Sequence, residues 1–181
     1  MKRIGVCFCV LGVAVAAAQQ SAAERTVPAA SPGQNRITRE VRHELLMLPN
    51  YGVFDDLAYS VNGTTVTLRG EVTRPTLKID AENAVKRIEG VTGVVNQIKV
   101  LPLSPADDRV RLAVYRSIYS QPGLDRYALQ AIPPIHIIVE NGRVILVGAV
   151  ASAADKDMAG IRANGVSGVF SVDNRLTVEG H

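Results

Sequence analysis

Acid–base catalysis is the first chemistry to consider, because histidine is the side chain that most often transfers protons near neutral pH. The chain has three histidines, His43, His136 and His181. On a helix, His43 and its neighbour Glu44 would point about 100° apart, so they could not act at one point. His136 alternates with isoleucines, which is typical of a packed or surface imidazole on a strand. A Ser-His-Asp arrangement would be recognised only by its geometry, and no nucleophile elbow or phosphate-binding loop supports one. We therefore predict no catalytic, cofactor-binding or metal-binding residue.

Contact with anionic lipid headgroups is a second possible chemistry, since it combines basic side chains with aromatic and aliphatic ones. A helical pattern that opens at Ser104-Pro105 is followed by IYSQPGLDRYALQAIPP, residues 118–134, which is long for a loop. The predicted contact residues are Arg109, Arg116, Tyr119, Arg126 and Tyr127. Two alternatives stay open: the arginines could form an ordinary solvated helix face, and the segment could be a short helix that buries its tyrosine and leucine. Tyr51, Val53 and Phe54 form a similar candidate earlier in the chain.

The first 23 residues have the pattern of a secretory signal peptide. Lys2 and Arg3 precede an apolar run from Ile4, and small residues then permit cleavage after Ala18 or Ala23. The run is shorter than the roughly 20 apolar residues of a membrane span. An uncleaved anchor is the alternative interpretation.

The processed chain would be nearly neutral and free of thiols. Loss of the two basic residues near the start lowers the formal net charge from +3 to +1, which argues against the clustered basic surface of a nucleic-acid-binding protein. Both cysteines, Cys7 and Cys9, lie inside the signal peptide, so no disulfide is expected. Residues 24–35 have the composition of a disordered linker. We predict a soluble, exported, periplasmic protein.

An irregular phrase occurs twice in the chain. GVTGVVNQIKV at 90–100 and GVFSVDNRLTV at 168–178 share the pattern G-V-x-x-V-x-N-x-apolar-x-V. At the same displacement of 78 residues, VTLRGEV at 66–72 corresponds to VILVGAV at 144–150. Two copies of one unit indicate a duplicated domain rather than a solenoid.

Each copy predicts the element order α-β-β-α-β. A helix-spaced apolar pattern is followed by two alternating runs with turn signals at Asn62-Gly63 and Asn141-Gly142, then by a second helix and a last strand. We therefore predict an α/β (α+β) fold of two tandem αββαβ domains, residues 36–101 and 104–179, each a three-stranded sheet covered by two helices. The connector Leu101–Pro105 contains two prolines, so it is stiff and the domains should pack on each other.

The glycines and asparagines that recur in both copies have structural interpretations. These residues are Gly70, Gly90, Asn96, Gly148, Gly168 and Asn174. Gly90 and Gly168 permit the left-handed conformation that commonly ends a helix, and Gly70 and Gly148 allow close approach of the backbone. An unpaired amide in an apolar strand would be costly, so each asparagine is predicted to bond nearby backbone.

Taken together, the repeated phrases resemble the BON domain, a family named for bacterial osmotically inducible and nodulation proteins. V-x-L-x-G-x-V, a helix and G-V-x-x-V-x-N-x-apolar-x-V occur in order from Val66 and again from Val144, and the resemblance covers about residues 36–179. It implies an exported or envelope location and a binding role, often at phospholipid surfaces, without catalysis. A two-domain relative is anchored through a lipidated cysteine at the start of its processed chain; Cys7 and Cys9 come too early for this, and we expect no such anchor.

The sequence therefore predicts a non-enzymatic envelope or stress-related protein that binds anionic phospholipid surfaces. The alternative is an adaptor for protein interactions in a periplasmic or envelope complex, since small sheets expose edges that recruit partners. Neither hypothesis involves a cofactor or nucleic acid, and the oligomeric state is not predicted.

Overall fold

The computed structural model of the protein describes residues 32–179. The predicted signal peptide and residues 24–31 of the predicted linker lie outside the described residues. The first helix begins at Pro32. Residues 32–35, which were predicted to belong to the linker, are therefore part of this helix. Proline suits the first turn of a helix because its missing N–H would have no partner there.

The first copy folds into one α+β domain. Its elements are α1 (Pro32–Leu46), β1 (Asp56–Asn62), β2 (Thr65–Val72), α2 (Pro75–Lys86), β3 (Gly93–Asn96) and β4 (Lys99–Val100). β2 lies in the centre of the sheet, antiparallel to β1 and parallel to β3 and β4. The two helices bury one face of the sheet in a core that includes Val41, Leu68 and Leu77. The predicted αββαβ order is confirmed, with the last strand divided in two.

The second copy repeats this arrangement. Its elements are α3 (Pro105–Tyr119), a 3-10 helix (Asp125–Leu129), β5 (Ile135–Glu140), β6 (Arg143–Val150), α4 (Ala153–Asn164), β7 (Ser171–Asn174) and β8 (Thr177–Val178). The hairpin loop is Asn141-Gly142, and φ is 53° and 75° at its two residues, as a type I′ turn requires. In the first copy, Asn62 still pairs with Thr65, so the loop begins one residue later than its turn signal predicts.

The recurring asparagines lie where the last strand of each copy is interrupted. Asn96 Nδ2 donates to Lys78 O at 3.0 Å, and its Oδ1 accepts from Ile98 N at 3.1 Å. Asn174 makes the corresponding bonds with Lys156 O at 2.7 Å and Leu176 N at 3.3 Å. The predicted bonding to nearby backbone is therefore confirmed in both copies. Each side chain ties the break between two short strands to the second helix of its domain.

The glycines of the V-x-L-x-G-x-V phrase lie inside β2 and β6 at positive φ. Gly70 has φ 118° and Gly148 has φ 121°, a region that side-chain-bearing residues seldom occupy. A Cβ on Gly148 would lie 1.8 Å from Pro134 O, and one on Gly70 would lie 2.2 Å from Asp56 O. The close backbone approach predicted for these positions is confirmed, although each strand continues two residues beyond its glycine.

The two domains contact each other through one face of β5. Residues 135, 137 and 139 point into the core of the second domain, so the intervening side chains point away from it. Of these, His136 stacks on the ring of Tyr51 with 5.5 Å between ring centroids, Ile138 is 2% exposed, and Glu140 lies 2.5 Å from Lys99 Nζ. The predicted packing of the domains is thus confirmed.

Backbone from the first domain also covers part of the edge of β5. Ile137 N donates to Val53 O at 2.8 Å. This bond fills one position on an edge strand that would otherwise be open to pairing with another chain.

Candidate functional site

The N-terminus of α3 is held firmly in place. The side chain of Ser104 caps the helix by accepting from Asp107 N at 3.2 Å, and Pro105 occupies the first turn. The buried carboxylate of Asp107 accepts from Asn141 N at 3.0 Å and Gly142 N at 2.9 Å. Burial by itself would raise the pKa of Asp107, but the bonds from these two amides and with Ser104, together with the charge of Arg111, outweigh it and the pKa is lowered. The helix start is therefore fastened to the β5–β6 turn.

Arg109, Leu112 and Arg116 lie on one exposed face of α3. Their spacing of three and four residues makes them neighbours along the helix surface. In the described part of the chain, neither arginine forms an ion pair. Leu112 keeps 46% of its surface exposed. The face therefore presents two uncompensated positive charges and an apolar side chain, the combination typical of a peripheral lipid contact.

Tyr119 and Tyr127, two of the five predicted contact residues, lie in the core of the second domain. Each is 7% exposed. Tyr119 Oη donates to Ile135 O at 2.7 Å, and burial raises the pKa of this tyrosine. Tyr127 Oη accepts from Ala151 N at 2.8 Å and donates to Asp155 Oδ2 at 3.0 Å. Both rings pack under the sheet and satisfy their hydroxyls internally, so neither can face a membrane.

Arg126, a further predicted contact residue, is exposed but already has partners. Its Nη2 lies 2.6 Å from Asp155 Oδ2, and its guanidinium lies 4.9 Å from the centroid of the Tyr127 ring. Burial would raise the pKa of Asp155, but bonds from Ser152 and Tyr127 and the charge of Arg126 lower it. Arg126 therefore holds the 3-10 helix against α4 and is less available to a ligand than the α3 arginines.

The remainder of the predicted segment is divided between core and surface. Leu124 is buried, whereas Leu129 is 87% exposed. The alternative of a short helix that buries its tyrosine is thus correct for Tyr127 but not for the leucine. Leu129 belonged to the predicted contact segment, whereas sequence reasoning missed Leu112 as a surface candidate. The available signal for Leu112 was its spacing: it lies two residues from both Val110 and Val114, which are buried, and therefore on the opposite side of the helix.

The earlier candidate in the first copy lies against the second domain. Tyr51 stacks on His136, whereas Val53 and Phe54 pack on the core of the second domain. Phe54 meets the ring of Tyr115 edge-on, with 6.1 Å between centroids. These three residues therefore form part of the contact between the domains.

His136 lies at this domain contact and not in an open cleft. Burial lowers the pKa of His136, and the nearby Asp56 carboxylate offsets only part of this. Its Nδ1 is buried without a hydrogen-bond partner among the described residues.

Within residues 32–179, no three His, Asp, Glu or Cys side chains are grouped so that they could hold a metal ion. None of the helices in this range combines the length and apolar character needed to cross a bilayer.

Both halves of the chain match the BON domain, over residues 33–102 and 107–180. Because these matches cover most of the sequence, the chain belongs to the BON domain family, as the repeated phrases predicted. BON domains are often associated with envelope and secretion-related proteins, and the family is generally non-enzymatic. No curated protein sequence matches the chain.

Solved structures that are similar to this chain include two of the protein CdsD. One comes from structural studies of CdsD, a structural protein of the type III secretion system of Chlamydia trachomatis. It is 12% identical, the match covers 79% of this chain and 92% of that chain, and the TM-score is 0.31. The other is the C-terminal domain of CdsD, at 12% identity, 77% and 96% coverage and a TM-score of 0.27. Likeness at this level carries no inference about function.

Proposed function

We propose that this protein is an exported, non-enzymatic envelope protein that binds anionic phospholipid surfaces through the exposed face of α3. The observation that supports this most is the stripe of Arg109, Leu112 and Arg116. It has two arginines without an ion pair among the described residues and a half-exposed leucine between them. The attachment of α3 to the β5–β6 turn fixes the helix backbone before binding, so the loss of conformational entropy on binding is confined to the side chains of the stripe.

The expected binding is weak and sensitive to salt. Each basic residue near an anionic membrane surface contributes about 1 kcal/mol. The two arginines together would thus contribute about 2 kcal/mol, or roughly a 30-fold preference for anionic over neutral vesicles. Exposed charges are screened beyond the Debye length, which is about 3 Å at 1 M salt. Most of the preference should therefore be lost at that ionic strength.

Co-sedimentation with phosphatidylcholine vesicles, with and without phosphatidylglycerol, tests this proposal. The double variant Arg109→Glu/Arg116→Glu should lose binding to the anionic vesicles. The control is Arg87→Glu, because Arg87 is also exposed and forms no ion pair within the described residues. Equal binding of the double variant and the wild-type protein, or binding that ignores both salt and headgroup charge, would refute the proposal.

The exported location is a separate part of the proposal and needs a separate experiment. It rests on the basic and apolar N-terminal pattern and on the envelope association of BON domains. Mass spectrometry of the protein from the periplasmic fraction should show a processed N-terminus after Ala18 or Ala23. A full-length chain in the cytoplasmic fraction would contradict this part alone.

One observation favours the alternative, an adaptor for protein interactions. Phe170, which is 85% exposed, directly precedes the edge strand β7. Ile161, which is 67% exposed, lies on α4. The first copy has the polar residues Thr92 and Asn83 at the corresponding positions. A complex from envelope extract that survives detergent and is lost in Phe170→Thr/Ile161→Asn would favour the adaptor. A lipid-dependent association would not survive detergent.

A further inference from the structure

An apolar cleft of about 330 Å³ lies between the two domains, beside the exposed face of α3. Its walls include Val53 and Phe54 from the first domain and Leu112, Tyr115, Ala128 and Pro133 from the second. The aromatic walls support each other, since Tyr115 contacts Phe54 on one side and Tyr119 on the other, with 4.7 Å between the tyrosine centroids. Neither domain alone could form this cleft.

The cleft is continuous with the arginine face. Leu112 belongs to both, because it lines the cleft and lies one turn from Arg109 and from Arg116 on the helix surface. Ala128, which also lines the cleft, precedes the exposed Leu129. An apolar group in the cleft could therefore be joined to an anionic group that the arginines hold.

We propose that the cleft takes one acyl chain of an anionic phospholipid while Arg109 and Arg116 contact its headgroup. This inference rests on the proposed function and adds a site for the chain to it. The volume is near the lower limit of about 300 Å³ for small-molecule pockets, so it suits part of one chain and not a whole lipid. The lining contains no charged side chain, whereas Arg109 and Arg116 lie one turn from Leu112, which lines the cleft. An apolar slot with arginines beside it matches the division of an anionic phospholipid into tail and head.

The first copy provides an internal comparison. At the displacement of 73 residues that aligns the first helices, Leu112 and Tyr115 correspond to Arg39 and Arg42. The same face of α1 is therefore charged, and it lacks the apolar wall. At these two positions of α1, therefore, no aliphatic or aromatic side chain takes the place of Leu112 or Tyr115.

The first experiment titrates octyl phosphate into the full chain, below the concentration at which it forms micelles, and follows the methyl resonances by NMR. Signals of Val53, Ala128 and Leu112 should shift, and inorganic phosphate should not shift them. Shifts of similar size at Leu103 and Ile161, which are exposed but line no part of the cleft, would indicate unspecific apolar contact and overturn the inference. An absence of shifts in the cleft would overturn it as well.

The second experiment compares Leu112→Arg with Leu103→Arg. Both add the same charge, but Leu103 is 95% exposed and does not line the cleft. Leu112→Arg should weaken octyl phosphate binding about tenfold, equivalent to ~1.4 kcal/mol, although its added charge favours the phosphate. Leu103→Arg should leave it unchanged or tighten it. Equal affinities of the two variants would overturn the inference.

The two proposals can fail separately. If charge reversal on α3 leaves vesicle binding unchanged, the proposed function fails. If vesicle binding is salt-sensitive as expected but Leu112→Arg behaves as Leu103→Arg does, only the acyl-chain site fails. If Leu112→Arg leaves vesicle binding as in the wild-type chain but abolishes a detergent-stable complex with a protein partner, the cleft binds protein and the acyl-chain inference is overturned.

Discussion

The recurring asparagines allow a quantitative comparison between the two copies, because the same residue has different partners in each. Asn96 makes three hydrogen bonds: to Lys78 O, from Ile98 N, and to Glu82 Oε2 at 2.9 Å. Within residues 32–179, Asn174 makes only the two that involve backbone. The position of Glu82 is occupied in the second copy by Gly160, where a Cβ would lie 2.8 Å from Asn174 Nδ2. In the second copy, therefore, α4 lies closer to the asparagine, and the asparagine makes one hydrogen bond fewer.

Replacement of each asparagine by alanine should reduce the free energy of unfolding in proportion to these bonds. A hydrogen bond contributes about 1 kcal/mol net, with additional cost where a buried group is left unpaired. We expect Asn96→Ala to cost about 3 kcal/mol and Asn174→Ala about 2 kcal/mol. The bond to the charged Glu82 is kept at the lower value, since that side chain is 32% exposed and is shared with Lys86.

Urea denaturation followed by circular dichroism at neutral pH measures these changes. Methyl NMR signals from each domain show whether the two unfold together. Asn83→Ala is the control, because Asn83 is exposed on α2, and its effect should stay within about 0.5 kcal/mol. In a double-mutant cycle, Glu82→Ala, which removes the acceptor, should couple to Asn96→Ala and not to Asn174→Ala. A larger loss for Asn174→Ala than for Asn96→Ala would refute the reasoning from bond counts.

Three further changes test other parts of the structure. Gly148→Ala should lower the free energy of unfolding by at least about 3 kcal/mol, because it adds a backbone collision to a strained φ. Gly123→Ala is the control: its φ is 93° but its surroundings are open, so only the strain of about 1–2 kcal/mol should be lost in the same urea titration. The pKa of Asp107 is lowered in the folded state, so its stabilising contribution is complete above the unfolded value of about 3.9 and is lost as pH falls through the folded value. Urea midpoints between pH 5 and 2 should therefore fall more steeply for the wild-type chain than for Asp107→Asn. Parallel curves for the two proteins would contradict this. Tyr51→Ala removes the ring stacked on the imidazole of β5, so hydrogen exchange should increase in β5 as well as in the loop that carries the tyrosine; unchanged protection of β5 would show that the stack does not stabilise the contact.

Local patterns were sufficient to predict the repeat unit. The αββαβ order follows from helical and alternating apolar spacing, which depends only on the geometry of helices and strands. The roles of Asn96 and Gly148 could be predicted for a similar reason. A polar amide inside an apolar strand must find a partner, and a recurring glycine marks a backbone position that excludes a side chain.

The surface of the second domain could not be predicted in the same way. Tyrosine is amphipathic, and its type alone does not distinguish a ring facing lipid from one packed in a core with its hydroxyl satisfied. Tyr119 and Tyr127 were assigned to the surface, but Ile135 O and Asp155, which are 16 and 28 residues away in sequence, accept from their hydroxyls in the core.

By itself, the sequence determined that the chain contains two copies of one small domain and which residues build each of them. The tertiary structure decided which of their side chains remain accessible to a ligand. Val53 and Phe54 became walls of a cleft between the domains, while Leu112 and two arginines stayed exposed on the adjoining face of α3. The physical reason is that periodicity fixes the direction of a side chain within its own helix or strand. Whether that direction ends in water or against a neighbour depends on how distant parts of the chain pack together.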